Sequence, residues 1–482
     1  MSEYEPDSNN SDDDPARDVD YALVEEIRTG VNAKLEEYEN SQGKLNAKDL
    51  RELAKNLIMR DLGDRALKTV MAGARGLTAR EEVELSNAVV ARMFGMGRLE
   101  NLFEMTHAED FYIHGNSPVI VKYFGGGQGV LPPVAESDED LRAQVQAIAT
   151  HHGQDERTIT TAQPFLNLEL PGKDARLGYM WGVTPHPVVT IRRHRFVNVN
   201  LEDLVQYGTI SRPMMALLQA AVMGRKSILI VGSQGAGKTT ALRALCACIP
   251  PEERFATMET EFELLLHTIP GRYPLLIPVQ ERMGNGDKDA TGRPVGEITL
   301  GDIFPWMLRH TAKRIIIGEV RSEEVLPLMR AMQRGLRGSM ATFHCDSARD
   351  TFESLASLLS DYRPALSREA AMRQIASALD FIVFIDQEEG IDPETGEPTE
   401  LRFVSEILEV GNLTTDSGVP NSTFLFGPHK DPEVRKNDPR GYPTGTGLSD
   451  GLWAQRAGLD PEWLTNTELG VWDRPFLQRL LA

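Results

Sequence analysis

The chain has 482 residues, enough for two to four domains with large apolar cores, and its 51 basic against 71 acidic residues leave a net charge of −20. That balance argues against duplex nucleic acid as the main partner, and three cysteines cannot build a disulfide framework, which fits a reducing cytoplasm. The longest apolar runs are strand-sized, far short of the ~18 residues a membrane span needs, so the chain reads as soluble or membrane-peripheral.

Residues 1–20 carry eight acidic residues and one Arg, the composition of a disordered acidic tail, and lack the basic start and apolar core of a signal or transit peptide. Over residues 21–98 apolar side chains recur at helical spacing, first Val24, Ile27, Val31 and Leu35, then Leu50, Leu53, Leu57 and Ile58, which predicts three or four bundle helices. Residues 99–200 change to a mixed pattern: strands at 119–123 and 188–191, a turn at Gly125, Gly126 and Gly127, and a helix from Asp138 to Thr150. A separate α+β domain is expected there. His151 and His152 are adjacent, share no helix face, and read as solvated loop rather than metal ligands.

From residue 201 to 413 helical stretches alternate with short apolar strands, the pattern of a doubly wound, mostly parallel sheet. Residues 387–400 are acidic, hold Gly and Pro, and predict an exposed hairpin tip. The rest, 414–482, reads as a loop-rich extension that Trp453, Trp463 and Trp472 pin to the core.

Within the third region, Gly232, Ser233, Gln234, Gly235, Ala236, Gly237, Lys238, Thr239 and Thr240 contain the phosphate-cradle pattern G-x-x-x-x-G-K-[ST]. The apolar run 227–231 precedes it and a helix-forming stretch follows, so the loop's backbone N–H groups face phosphates at a helix N-terminus. Lys238 is placed for the β- and γ-phosphates and the Thr239 hydroxyl for Mg²⁺. A nucleoside triphosphate is the expected ligand.

A second apolar strand, 314–321, ends in Glu319, and strand ends of a parallel sheet point at the ligand, so Glu319 is expected to orient a water against the γ-phosphate. Glu259, after another strand, is expected to hold Mg²⁺ or that water, and His344 to sense the γ-phosphate. Developing charge needs cations, which an arginine supplied across a subunit interface can provide; Arg309 and Arg321 beside the second strand are candidates, as are Arg192, Arg193 and Arg195 at the end of the mixed domain. Arg330, Arg334 and Arg337, at i, i+4 and i+7, are further ones.

The ordered set of residues 232–240, Glu259 with Glu263 and Leu264, Glu281 and Arg282, Leu308 and Arg309, Gly318 to Arg321, and Gly338 to His344 resembles the type II/type IV secretion ATPases. The likeness is greatest to their tight-adherence (Tad/Flp) pilus-assembly branch and covers about residues 100–410, including Thr190 to His194. The resemblance implies a RecA-like core preceded by a helical segment and a PAS-like N-terminal domain. It also implies a homohexamer hydrolysing ATP with Mg²⁺ at the cytoplasmic face of the cell membrane, against a polytopic inner-membrane platform protein; the acidic balance makes nucleic acid an unexpected partner. By position it makes Lys238 and Thr239 the Walker A pair, Glu319 the Walker B glutamate, Glu259 the first acid of the Asp box and His344 the second histidine of the His box, with Arg192 and Arg193 touching nucleotide. The sequence departs from the family at Thr260, where an Asp is usual, and at Leu336, where the first histidine belongs. Two other readings stay open on these residues: a DNA-handling translocase, and a nucleotide-binding scaffold with weak hydrolysis.

Overall fold

The computed structural model describes residues 20–42, 45, 47–73, 75–152, 164–170, 173–194, 196–282, 284, 287–333, 335–391, 396, 398–413 and 418–459. The expected acidic tail, apart from Asp20, lies outside the described residues, as do Arg195, Arg334, Trp463 and Trp472. The chain forms two compact units that divide between His194 and Arg195.

The first unit opens with α1 (Tyr21–Gln42), α2 (Ala47–Met71) and α3 (Ala79–Phe94). Val24, Ile27 and Val31 of α1 are fully buried against Ile58 of α2 and Val89 of α3, so the helical spacing read in the sequence is the seam of a three-helix bundle. The last stretch before the sheet, Gly97–Glu104, is a 3₁₀ turn. Thr78 starts α3 with a capping box, its hydroxyl accepting from the Glu81 N–H while the Glu81 carboxylate accepts from the Thr78 N–H.

Next come β1 (Ala108–His114), β2 (Val119–Tyr123), β3 (Gln128–Leu131), α4 (Asp138–His152), β4 (Phe165–Leu170), β5 (Ala175–Met180) and β6 (Val188–Arg193). The six strands form an antiparallel sheet in the order β3-β2-β1-β6-β5-β4. Strand alternation buries Phe111, Ile113, Val121, Leu177, Val189 and Ile191 in one core with Leu141, Val145 and Ile148 of α4.

The second unit begins with α5 (Leu201–Gln206), α6 (Arg212–Met223), β7 (Ile228–Gly232), α7 (Lys238–Cys246), β8 (Ala256–Glu259), β9 (Ile277–Gln280), α8 (Leu300–Arg309), β10 (Ile315–Val320), α9 (Val325–Gln333) and β11 (Met340–His344). It continues with α10 (Thr351–Tyr362), α11 (Arg368–Ala378), β12 (Phe381–Ile391), β13 (Pro398–Leu413), β14 (Pro420–Gly427), α12 (Pro432–Asn437), β15 (Tyr442–Pro443) and α13 (Leu452–Arg456). One nine-stranded sheet runs β15-β14-β13-β12-β7-β11-β10-β8-β9, parallel from β12 to β9 and antiparallel from β12 to β15. It is an α/β core of the RecA-like kind with helices on both faces. In β7, Ile228 and Ile230 pack into one apolar layer, with α6 and α7, while Leu229 and Val231 pack into the other, with α9, α10 and α11. Burial on both faces is why the strand is a continuous apolar run.

Two expectations need correction. Strand pairing persists into the acidic stretch, with Glu388 opposite Leu401 and Glu389 opposite Glu400, because ladder bonds are made by backbone and an exposed ribbon tolerates polar side chains. The stretch read as loop-rich contributes β14 and β15, since Leu425 and Phe426 extend the buried core. Trp453 packs edge-on to Phe381, 5.8 Å between ring centroids, and so does fasten this segment to the core.

At the sheet edge opposite Glu319, Arg314 is only 1% exposed. Its Nε and Nη2 donate to both oxygens of Glu253, at 2.6 and 2.9 Å, and Nη1 donates to the Val222 carbonyl at 3.2 Å. Removing Arg314 leaves the buried Glu253 carboxylate to the partly exposed Arg225, 3.0 Å from its Oε2, and empties the buried guanidinium site. Arg314→Ala is expected to cost about 3 kcal/mol or more in urea unfolding. An unchanged midpoint would refute a stabilising role for the pair.

Candidate nucleotide site

β7 delivers the chain to the phosphate loop at Gly232, whose added Cβ would lie 2.2 Å from the Ile385 carbonyl oxygen. Only a residue without that atom fits there. Gly235 and Gly237 adopt φ of +85° and +94°, the left-handed region that turns successive N–H groups inward. Gly237 is the N-cap of α7 and supplies no side-chain cap, so the first turn of α7, which includes Thr239 and Thr240, presents its N–H groups and positive dipole end to acceptors from a ligand. Lys238 is 7% exposed and its Nζ donates to the carbonyls of Gly232 at 3.0 Å and Ser233 at 2.7 Å. Burial lowers its pKa, and the charge of Glu319 acts in the opposite direction.

The parallel register sets the other wall. His344 pairs with Gly232 and its Nδ1 sits 3.0 Å from the Gly232 carbonyl oxygen, so the histidine is tied to the cradle from the neighbouring strand. From the same strand, the Thr342 hydroxyl donates to the Gly318 carbonyl of the next strand at 2.6 Å, fixing the end of β10 where Glu319 stands. Glu319 is partly exposed and ion-paired with Arg321. Burial is the largest influence on Arg321 and pulls its pKa down, but the bond to Glu319 and the charges of Glu319, Glu263 and Glu324 together raise it above its ordinary value.

Glu259 occupies a different environment. It is 3% exposed and its Oε2 accepts from the N–H groups of Glu263 and Leu264, each at 2.8 Å. Its Oε1 is buried with no hydrogen-bond partner among the described residues. Burial pushes its pKa up to about 7, opposed by the two backbone donors.

Residues 130–387 match the family model described as Type II/IV secretion system protein, more than half of the chain. The chain belongs to the type II/IV secretion ATPase superfamily. A putative conjugal transfer protein of Mycobacterium tuberculosis is 28% identical over 305 residues, which are 60% of this chain and 80% of that protein. The type IV secretion system protein VirB11 of Brucella suis is 29% identical over 243 residues, 45% of this chain and 63% of VirB11. Among solved structures, the Legionella pneumophila ATPase DotB aligns with a TM-score of 0.45 and 16% identity, over 67% of this chain and 81% of DotB.

In this secretion ATPase the structure gathers Lys238, Glu319, Arg321 and His344 at the carboxyl edge of the sheet, with Glu259 ending β8 beside Gly318. It does not bring Arg309 there. α8 must return the chain to the start of β10, so Arg309 lies toward the opposite edge, exposed and stacked 4.8 Å from the Trp306 ring centre. Arg330 and Arg337 do not share a helical face, because α9 stops at Gln333, and the two left-handed glycines Gly335 and Gly338 turn the chain into β11. Leu336, in the histidine's family position, packs against the core instead. Arg192 and Arg193 end β6 in the first unit. There the Arg192 guanidinium donates to both oxygens of buried Asp110, at 2.8 and 3.1 Å, and Arg193 donates to the Met105 carbonyl.

The base of the β12–β13 hairpin also walls the cradle, which the sequence reading missed. Gln387 Oε1 lies 3.6 Å from where a Gly235 Cβ would be, and Arg402 Cδ lies 3.8 Å from that of Gly237. No local signal marks these two residues, since only the pairing of β12 with β7 carries the hairpin there. Among the described residues no group of three or more His, Cys, Asp or Glu side chains could hold a metal. The donors fit an ion that arrives with nucleotide phosphates: the Thr239 hydroxyl on the first turn of α7, and the unpartnered Glu259 Oε1.

An acid whose folded pKa is raised stabilises the fold below its unfolded pKa, near 4.5, and that contribution is lost as pH climbs through about 7. Thermal unfolding of the wild type should therefore weaken between pH 5 and 8 by more than Glu259→Gln does, by up to about 3 kcal/mol. Parallel pH profiles for the two proteins would contradict a buried, proton-accepting Glu259.

Proposed function

We propose that this chain is a Mg²⁺-dependent ATPase motor that couples nucleotide turnover to a membrane-embedded pilus or secretion machine of the Tad/Flp kind. The observation that carries the reading is the single sheet edge at which a buried Lys238, a glycine cradle and an uncapped helix N-terminus face Glu319 two strands away. Cradle and cation bind the triphosphate; Glu319 orients the attacking water; Arg321 and His344 meet the charge that develops on the γ-phosphate. Bound Mg²⁺, held by Thr239 and the nucleotide with Glu259 behind it, would neutralise phosphate charge. Among the described residues no helix is long and apolar enough to cross a membrane, which accords with a motor that docks on a polytopic platform protein at the cytoplasmic face. Assembly as a homohexamer belongs to the same reading.

Lys238→Ala is expected to abolish ATP binding. Glu319→Gln should keep ATP affinity while steady-state phosphate release falls about 100-fold or more. Wild-type turnover in Glu319→Gln would remove that residue from catalysis, and unaltered ATP affinity in Lys238→Ala would remove the cradle from binding.

The mycobacterial relative's name concerns conjugal transfer, which gives the DNA-handling alternative a definite observation in its favour. A net charge of −20 opposes it. Single-stranded DNA at low salt is expected to leave ATP turnover unchanged, and a salt-sensitive stimulation would favour the translocase.

A further inference from the structure

The β12–β13 hairpin emerges from the sheet beside the phosphate loop, and its register decides what it shows there. Ile385 is level with Gly232 on β7 and with Val404 on β13, and both Ile385 and Val404 belong to the apolar layer that α7 covers. Side chains two residues further along each strand stay on that face. On β12 that residue is Gln387 and on β13 it is Arg402, and the two are directly paired. The face that packs under α7 therefore continues, past the sheet edge, as an amide and a guanidinium placed against the two left-handed glycines of the loop.

Their chemistry differs in a useful way. Arg402 stands beside the N-terminus of α7, whose partial positive charge repels a cation. Glu400, two residues earlier on the same face and only 4% exposed, compensates: it accepts from Arg402 Nε at 3.0 Å and Nη2 at 2.9 Å. A polyphosphate in the cradle would bring more negative charge to the same guanidinium than the Glu400 carboxylate does. Gln387 Oε1 is buried and accepts no hydrogen bond among the described residues. Phosphate oxygens cannot satisfy an acceptor; the donors of a bound nucleotide are its ribose hydroxyls and base amino group.

Resting on the reading of this edge as an ATP site, we infer that the hairpin is a second wall of that site. Arg402 contacts the phosphates from within the same chain in competition with Glu400, and Gln387 contacts the nucleoside. The test is calorimetric binding of ATP and of inorganic tripolyphosphate, with Mg²⁺, to the full chain. Arg402→Ala should weaken both ligands about tenfold or more. Glu400→Gln should tighten both, a gain that misfolding cannot mimic. Gln387→Ala should weaken ATP several-fold and leave tripolyphosphate unchanged.

Unchanged affinities in Arg402→Ala, no tightening in Glu400→Gln, or equal losses for both ligands in Gln387→Ala overturn the inference. Wild-type protein that binds ATP no better than Lys238→Ala would instead overturn the underlying site. The two failures are therefore distinguishable in one experiment.

Discussion

One close backbone approach organises the nucleotide end of this molecule. Gly232 lies level with Ile385 on one neighbouring strand and His344 on the other, and a methyl group at Gly232 would strike the Ile385 carbonyl at 2.2 Å. The missing Cβ lets β7 end hard against β12, which runs on past Ile385 into the hairpin. From this follow the start of the cradle, the hold of His344 on the Gly232 carbonyl, and the direction in which the β12–β13 hairpin leaves the sheet. The two glycines that follow then turn the loop back into α7.

The charges at that edge are arranged in pairs that a bound ligand can rearrange. Lys238 is held by loop carbonyls, Glu319 by Arg321, and Arg402 by Glu400. Each pair limits the cost of keeping like charges near one another. Glu259 stands apart, since its charge is suppressed by burial rather than matched by a cation, and two backbone donors lock one oxygen. It is as much a structural clasp on the loop after β8 as a chemical group. The far edge is built oppositely, with Arg314 and Glu253 locked in a buried pair that Arg225 joins from the surface.

Much of this was legible in sequence where one local rule acts alone. The spacing of Val24, Ile27 and Val31 gave the bundle seam, and the run at 228–231 gave a strand buried on both faces. Arg309 lies away from its own chain's cradle because adjacency to a strand in sequence does not say which end of that strand a residue meets. The arginines at 330 and 337 were misread because helix period was extended past Gln333, where Gly335 and Gly338 break it. β14 went unseen because its Pro, Asn, Ser and Thr outweigh Leu425 and Phe426 until β13 offers an edge to pair with.

The sequence by itself determined that residues 232–240 carry a phosphate-loop pattern and that an acid follows a buried strand, because both are short-range patterns tied to backbone geometry. Only the tertiary structure decided which strands flank the cradle, that Glu259 is buried with one oxygen unpartnered among the described residues, and that Gln387 and Arg402 stand at the loop. The physical reason is register. A parallel sheet is closed by hydrogen bonds between strands more than a hundred residues apart, and their alignment sets which side chains share an edge.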